Sequence, residues 1–237
     1  MLSARFAWVL VLGALFASAP PASANCVDGV AGTVQAHYDQ VRDFSAEFEQ
    51  TTRSALFGSA GADQGAPSRG QVVFAKPGKM RWTYSEPEPS LVVSDGAILW
   101  LYAPKLREAQ RLPVTDGYLT GAALQFLLGD GKLADSFEIS AASCPMKESA
   151  AARAEGREPL VELELVPKEP SSYERLGLTA NFDTGEVTAT RVVDLFGNET
   201  RIAFRSIQTN QDPGADVFRF TPEDGVEVIE LEAAPPE

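Results

Sequence analysis

The sequence predicts a mainly β protein of the α+β class: one strongly curved antiparallel sheet of about ten or eleven strands, preceded by an amphipathic helix. Three observations carry this reading. From Phe44 onward apolar and polar residues alternate with period two in run after run. The runs are separated by strong turn signals, Pro77-Gly78 and Asp95-Gly96 among them. Helical periodicity is confined to one segment near the start and to two short stretches, 120–128 and 145–159. With 237 residues and 44% apolar content, the chain suits one barrel-type domain once a leader is removed.

The leader comes first. Arg5 forms a minimal positive region, Phe6 to Phe16 is an unbroken apolar run, and Ala22-Ser23-Ala24 is a small-residue cleavage site. Pro20 and Pro21 interrupt the segment before it reaches the roughly 20 residues that a membrane anchor needs. The expected organisation is a signal peptide over 1–24, a folded domain over 25–230, and a disordered tail over 231–237. Export follows, and the mature chain is expected to be soluble. No later segment is long and apolar enough to span a bilayer, so the mature chain is not expected to be membrane-embedded.

Val27, Val30, Ala31, Val34, Tyr38 and Val41 fall on one face of a helix over 27–41. Phe44, Ala46 and Phe48 then alternate against Ser45, Glu47 and Glu49, which starts a long strand. The Gly-, Ala- and Ser-rich stretch 54–70 reads as a long hairpin loop. Two alternating runs flank Pro77-Gly78, and a three-residue turn over 77–79 pairs Lys76 with Met80. That places Val72, Phe74, Met80 and Trp82 on one side and leaves Gln71, Lys79, Arg81 and Thr83 on a mostly wet one. The Asp95-Gly96 turn pairs Val92 with Leu99. Further strands are expected at 107–112, 136–141, 160–166, 176–182, 187–194, 199–208 and 217–221, all in an antiparallel meander. The stretch 120–128, with Leu124, Phe126, Leu127 and Leu128 ahead of Gly129-Asp130-Gly131, reads as a short and unusually apolar helix. Residues 145–159 read as a surface helix or a loose insertion.

Composition excludes several functions. The 33 acidic and 20 basic side chains give a formal charge of −13, and loss of Arg5 with the leader makes it −14. Such a chain lacks the basic face that a nucleic-acid binder needs, and it should not cling to anionic membranes. One histidine, His37, and two cysteines cannot furnish a polyhistidine site or a zinc finger, so a metal would have to be carboxylate-bound; none is expected, and no cofactor. Neither a P-loop nor a dinucleotide fingerprint is present, and no G-x-S-x-G nucleophile motif occurs. Glu162 and Glu164 alternate with Val161, Leu163 and Leu165, so they read as the solvent face of a strand rather than a glycosidase pair. No residue nominates itself as a catalyst, and the protein is not expected to be an enzyme. Alternation alone fits a packed core as well as a cavity.

Cys26 and Cys144 stand 118 positions apart in a chain expected to enter an oxidising compartment. A disulfide between them is the favoured reading. Free buried thiols and acylation of Cys26 are the alternatives, the last disfavoured by Asn25 where a small residue normally precedes the modified cysteine.

Lys76-Pro77-Gly78-Lys79-Met80-Arg81-Trp82, followed by Ser94-Asp95-Gly96-Ala97-Ile98-Leu99-Trp100-Leu101-Tyr102-Ala103-Pro104, resembles the periplasmic outer-membrane lipoprotein carrier family, LolA. Phe44 to Gln50 near the front and Phe218 to Val228 near the end match in the same order, and residues 145–159 fit least. The resemblance implies an unclosed antiparallel β-barrel of about eleven strands, with short lid helices over a concave face that holds acyl chains. It assigns Val72, Phe74, Met80, Trp82, Val92, Leu99 and Leu101 to the acyl-chain wall, and Leu124, Phe126 and Leu127 to the lid. Lys76 takes the position of the basic lid latch, although the family pattern has arginine there, and Met80 takes that of a phenylalanine. The implied partners are acylated lipoproteins, an inner-membrane ABC-type release complex and an outer-membrane receptor, and the carrier itself is expected to be monomeric. Two other readings share the fold: a shuttle or sensor for another lipid or glycolipid, and an outer-membrane-anchored receptor if Cys26 is acylated.

Overall fold

The computed structural model describes residues 22–55, 66–114, 131–142, 150 and 152–231. Helix α1 (Ala22–Gln40) precedes β1 (Asp43–Arg53), β2 (Ser68–Ala75), β3 (Lys79–Glu86), β4 (Ser90–Ser94), β5 (Ile98–Ala103) and β6 (Glu108–Pro113). A single-turn helix α2 (Leu133–Ser136) then leads into β7 (Phe137–Ala141), β8 (Leu160–Pro167), β9 (Tyr173–Asn181), β10 (Val187–Asp194) and β11 (Glu199–Thr209). A 3-10 turn (Ala215–Phe218) and β12 (Glu227–Glu230) close the order.

All twelve strands form one sheet, in the order β12-β6-β5-β4-β3-β2-β1-β11-β10-β9-β8-β7. Strand β1 pairs with both β2 and β11, so it is the seam between two arms. The end strands β12 and β7 do not pair, and the sheet stays open. Every pairing is antiparallel except β12 with β6. The connection from β6, the strand next to β12, therefore leads to β7 at the far end of the sheet.

The expected alternation holds, but two registers differ. Phe74 faces Met80 and Ala75 faces Lys79, so Lys76 lies in the turn instead of opposite Met80. The cause is tertiary: the Lys76 amide donates to the Arg42 carbonyl at 2.9 Å, which takes the residue out of the ladder. At the next hairpin Val92 faces Leu101 and Leu99 faces Ser94, not Val92. There the Asp95 carboxylate accepts the amides of Ala97 and Ile98, both at 2.9 Å, and holds the turn around Gly96 and Ala97. Each slip is two residues, so each leaves the faces unchanged.

The strand expected at 217–221 is instead the 3-10 turn at Ala215–Phe218, part of a strap over the convex side. The Val217 carbonyl accepts from Arg81 Nη1 at 3.1 Å, Phe218 is buried, and Phe220 lies edge-on to Trp100 at 5.4 Å. The strap ends as β12, where Arg111 pairs with Glu230 at 3.0 Å. The convex side of β4 to β6 is therefore not wet: Val93 and Ala109 are fully buried on it. The expected helix or insertion at 145–159 is helical over 152–154, where Arg153 pairs with Asp183.

Helix α1 lies against the concave side. Val30, Ala31, Val34, Tyr38 and Val41 are buried there in one cluster with the inward residues of both arms. The fit is close at the β9–β10 turn: a Cβ on Gly185 would stand 2.4 Å from the Thr33 carbonyl oxygen, and φ there is +75°. At the helix end Asn210 accepts from the Arg42 amide at 2.8 Å and donates to the Gln40 carbonyl at 3.2 Å. Asp43, buried, is satisfied by the amides of Gln211 and Asp212.

Candidate lipid-binding face

The concave side of the β1–β6 arm is built by alternation across cross-strand pairs. Phe44 faces Phe74 and Ala46 faces Val72 across β1 and β2. Phe74 faces Met80 and Val72 faces Trp82 across β2 and β3. Trp82 then faces Val92, Val92 faces Leu101, and Leu99 faces Leu112. All seven expected wall residues thus share one face. Val72, Phe74, Met80, Trp82 and Leu99 are buried in the main cluster, and Val92 and Leu101 pack against it half-buried.

Trp82 is the centre of an aromatic array. Its ring lies edge-on to Phe48 at 4.8 Å and to Phe74 at 5.5 Å, and stacks near Tyr84 at 6.4 Å. Phe48 also meets Tyr84 at 4.9 Å, across the glycine that pairs with both, Gly70. Phe44 reaches over the seam to Phe204 at 5.5 Å. The other arm is mainly aliphatic, with Leu163, Leu165, Leu176 and Leu178 buried on the same concave side beside Phe204 and Phe137. Phe44, Phe48, Tyr84 and Leu112 belong to this face but are missing from the expected wall. The alternation from Phe44 to Phe48 carried the signal, and only the pairing of β1 with β2 shows that it continues the same surface.

Polar groups on this face are few and mostly paired. Tyr38 Oη accepts the Val187 amide at 3.2 Å, and burial raises the pKa of its hydroxyl far above the ordinary tyrosine value. The Tyr84 hydroxyl donates to Gln50 Oε1 at 3.0 Å and is likewise raised by burial. Ser94 Oγ accepts the Gly96 amide at 3.0 Å. The amides of Ile98 and Ala97 hold the Asp95 carboxyl below the usual range. Among the described residues, the buried side-chain nitrogens or oxygens without a partner are His37 Nε2 and Trp82 Nε1.

Lys76 Nζ donates to the Tyr38 carbonyl at 3.0 Å, half-buried, in the last turn of α1. A cation there complements the free carbonyls and the negative end of the helix. The resemblance paired this side chain with the lid, whereas the contact seen is to α1. The lid residues Leu124, Phe126 and Leu127 lie outside the described residues. Cys26 is disulfide-bonded, and Cys144, the other cysteine of the sequence, lies outside them too.

Residues 39–221, more than three quarters of the chain, match the family described as outer membrane lipoprotein carrier protein LolA. The chain belongs to the LolA family. It is 30% identical over 217 residues to an outer-membrane lipoprotein carrier protein of Cupriavidus necator, covering 91% of this chain and 93% of that one. A carrier of the same description from Methylibium petroleiphilum is 31% identical over 218 residues, covering 92% and 96%. One from Chromohalobacter salexigens is 29% identical over 226 residues, covering 94% and 97%. Among the described residues of this LolA-family chain, no helix is long and apolar enough to cross a membrane.

Proposed function

We propose that this protein is a periplasmic carrier that shields the acyl chains of outer-membrane lipoproteins in its concave face while they cross the aqueous space between two membranes. The observation that supports this best is the continuous apolar and aromatic surface from Phe44 to Leu112 in a chain of the LolA family. An acyl chain of about 16 carbons costs on the order of 12 kcal/mol to hold in water, at about 0.8 kcal/mol per methylene. A carrier must supply apolar surface on that scale, and an uncovered one would aggregate. The protein performs no catalysis.

In this reading Val72, Phe74, Met80, Trp82, Val92, Leu99 and Leu101 are the wall that meets the chains. The stretch 120–128 acts as cover, in keeping with its place in the connection that leads from β6, beside one end strand, to β7 at the other end. Lys76 steadies α1 at the edge of the wall, and Cys26 pairs with Cys144. A sulfur in a disulfide cannot also carry a lipid thioether, so the bonded state of Cys26 favours a soluble carrier over an anchored receptor. The leader 1–24 directs export and is removed. The carrier works as a monomer between an ATP-driven inner-membrane release complex and an outer-membrane receptor. Direction comes from those partners, because a passive site only equilibrates its cargo.

The test is to purify the exported protein from its native periplasm and measure bound species by intact-mass spectrometry. Acylated lipoprotein should co-purify with the wild type and not with Met80→Glu. Recovery of free lipid alone would move the reading to a lipid shuttle. Failure to take up a fluorescent fatty acid as well would end it.

A further inference from the structure

Trp82 is only 3% exposed, and its indole Nε1, a donor with no acceptor capacity, has no hydrogen-bond partner among the described residues. A buried donor left unmade carries a real penalty, and in native proteins such a group calls for an explanation. Phenylalanine would fill the same aromatic array without that penalty. On the same face of the sheet, the Tyr84 hydroxyl is bonded to Gln50 and the Ser94 hydroxyl to the Gly96 amide. The edge-on rings of Phe48 and Phe74 offer at most a weak N–H to π contact. An orphan donor on an apolar wall is the pattern of a ligand site in which one placed polar group sets orientation.

We infer that the Trp82 indole N–H donates a hydrogen bond to an ester carbonyl of the bound acyl chains. The inference rests on the carrier reading and adds a chemical selection to it. A hydrocarbon tail has no acceptor, and the acyl carbonyl is the first polar atom next to one. Engaging it satisfies Trp82 and fixes how far the chains slide along the wall. The site thereby distinguishes an acyl ester from an alkyl ether of equal length, which apolar burial alone does not.

The test compares two soluble synthetic lipopeptides on the full mature protein: one with two palmitoyl ester chains on a glyceryl-cysteine, and its counterpart with two hexadecyl ether chains. The wild type should bind the ester about five- to tenfold more tightly, the size of one neutral hydrogen bond. Trp82→Phe should lose the preference and bind the two lipopeptides equally. On loading with the ester, the indole proton resonance that is missing from the variant should move downfield in the wild type, and the ether should not move it. Equal wild-type affinity for both lipopeptides overturns the inference and leaves the carrier reading standing. Binding of neither overturns the carrier reading itself.

Discussion

Replacing Met80 with glutamate places a carboxyl at a position 1% exposed, opposite Phe74 and beside Ser94. An ordinary glutamate titrates near 4.3, and buried ones reach about 8 to 9. The folded variant must therefore hold the introduced carboxyl protonated at pH 7, whereas the unfolded chain ionises it. Each unit between 4.3 and 7 contributes about 1.4 kcal/mol, so the proton alone should cost roughly 3.7 kcal/mol. A folded value raised above the unfolded one makes this penalty absent below pH 4 and growing as pH rises. At pH 5 it should be only about 1 kcal/mol.

The assay is urea unfolding of wild type and Met80→Glu at pH 5 and pH 7, followed by tryptophan fluorescence, with capture of a palmitoylated lipopeptide at each pH. The stability gap should widen by between about 2 and 3 kcal/mol from pH 5 to pH 7. Cargo capture should be lost at pH 7, because a chain lying on the wall would have to desolvate or protonate the carboxyl. A gap that does not change with pH would mean that position 80 reaches water in the folded state. Capture at pH 7 equal to the wild type, with the fold intact, would falsify the assignment of this face to acyl chains.

Three further outcomes are expected. Gly185→Ala drives a methyl into the Thr33 carbonyl of α1 at a backbone with φ of +75°, and should cost roughly 2 kcal/mol or more in chemical denaturation; an unchanged midpoint would contradict the close seat of the helix. Tyr38, whose pKa burial raises, keeps its stabilising neutral form below about pH 10 and loses that contribution as the pH climbs towards the folded value; Tyr38→Phe should show a shallower loss of stability between about pH 9 and 11, and matching slopes would count against burial of the hydroxyl. Cys26→Ser should lower stability by several kcal/mol, about 4 to 5 on the chain-entropy argument for a loop of this length; reduction of the wild type should reproduce the loss, and a variant as stable as the parent would refute a structural disulfide.

Much of the site was legible because a strand's faces depend only on odd and even positions. The two hairpin registers differ from expectation by two residues each, yet every wall residue keeps its side. Register itself was not legible. It is set by the Asp95 carboxylate gripping two amides and by Lys76 engaging Arg42 and Tyr38, contacts that need the folded chain. The strap misled for a related reason. Phe218 and Phe220 alternate as in a strand, but alternate rings also result when an extended segment is laid on a sheet, and Phe220 rests on Trp100 and Tyr102. Strand β12 gave little signal, since Glu227-Val228-Ile229-Glu230 is short and acidic, and an ion pair to Arg111 helps hold it in place.

The two arms differ in what loading can disturb. On the β7–β11 side α1 is fastened at several points: Tyr38 to the Val187 amide, Gly185 flush against Thr33, and Asn210 clamping the helix end. Lifting α1 would leave the buried Val187 amide and the Lys76 ammonium without their acceptors, each a desolvated group with nothing in exchange from a hydrocarbon chain. On the β1–β6 side the concave contacts are between rings and aliphatic chains, apart from Lys76 with the Tyr38 carbonyl at the edge, and Tyr84 with Gln50 and Ser94 with Gly96, which are local to the sheet. An acyl chain entering there exchanges apolar contact for apolar contact and breaks no hydrogen bond. In the proposed carrier the aromatic arm is thus the side on which cargo is admitted at low cost, while α1 stays fixed.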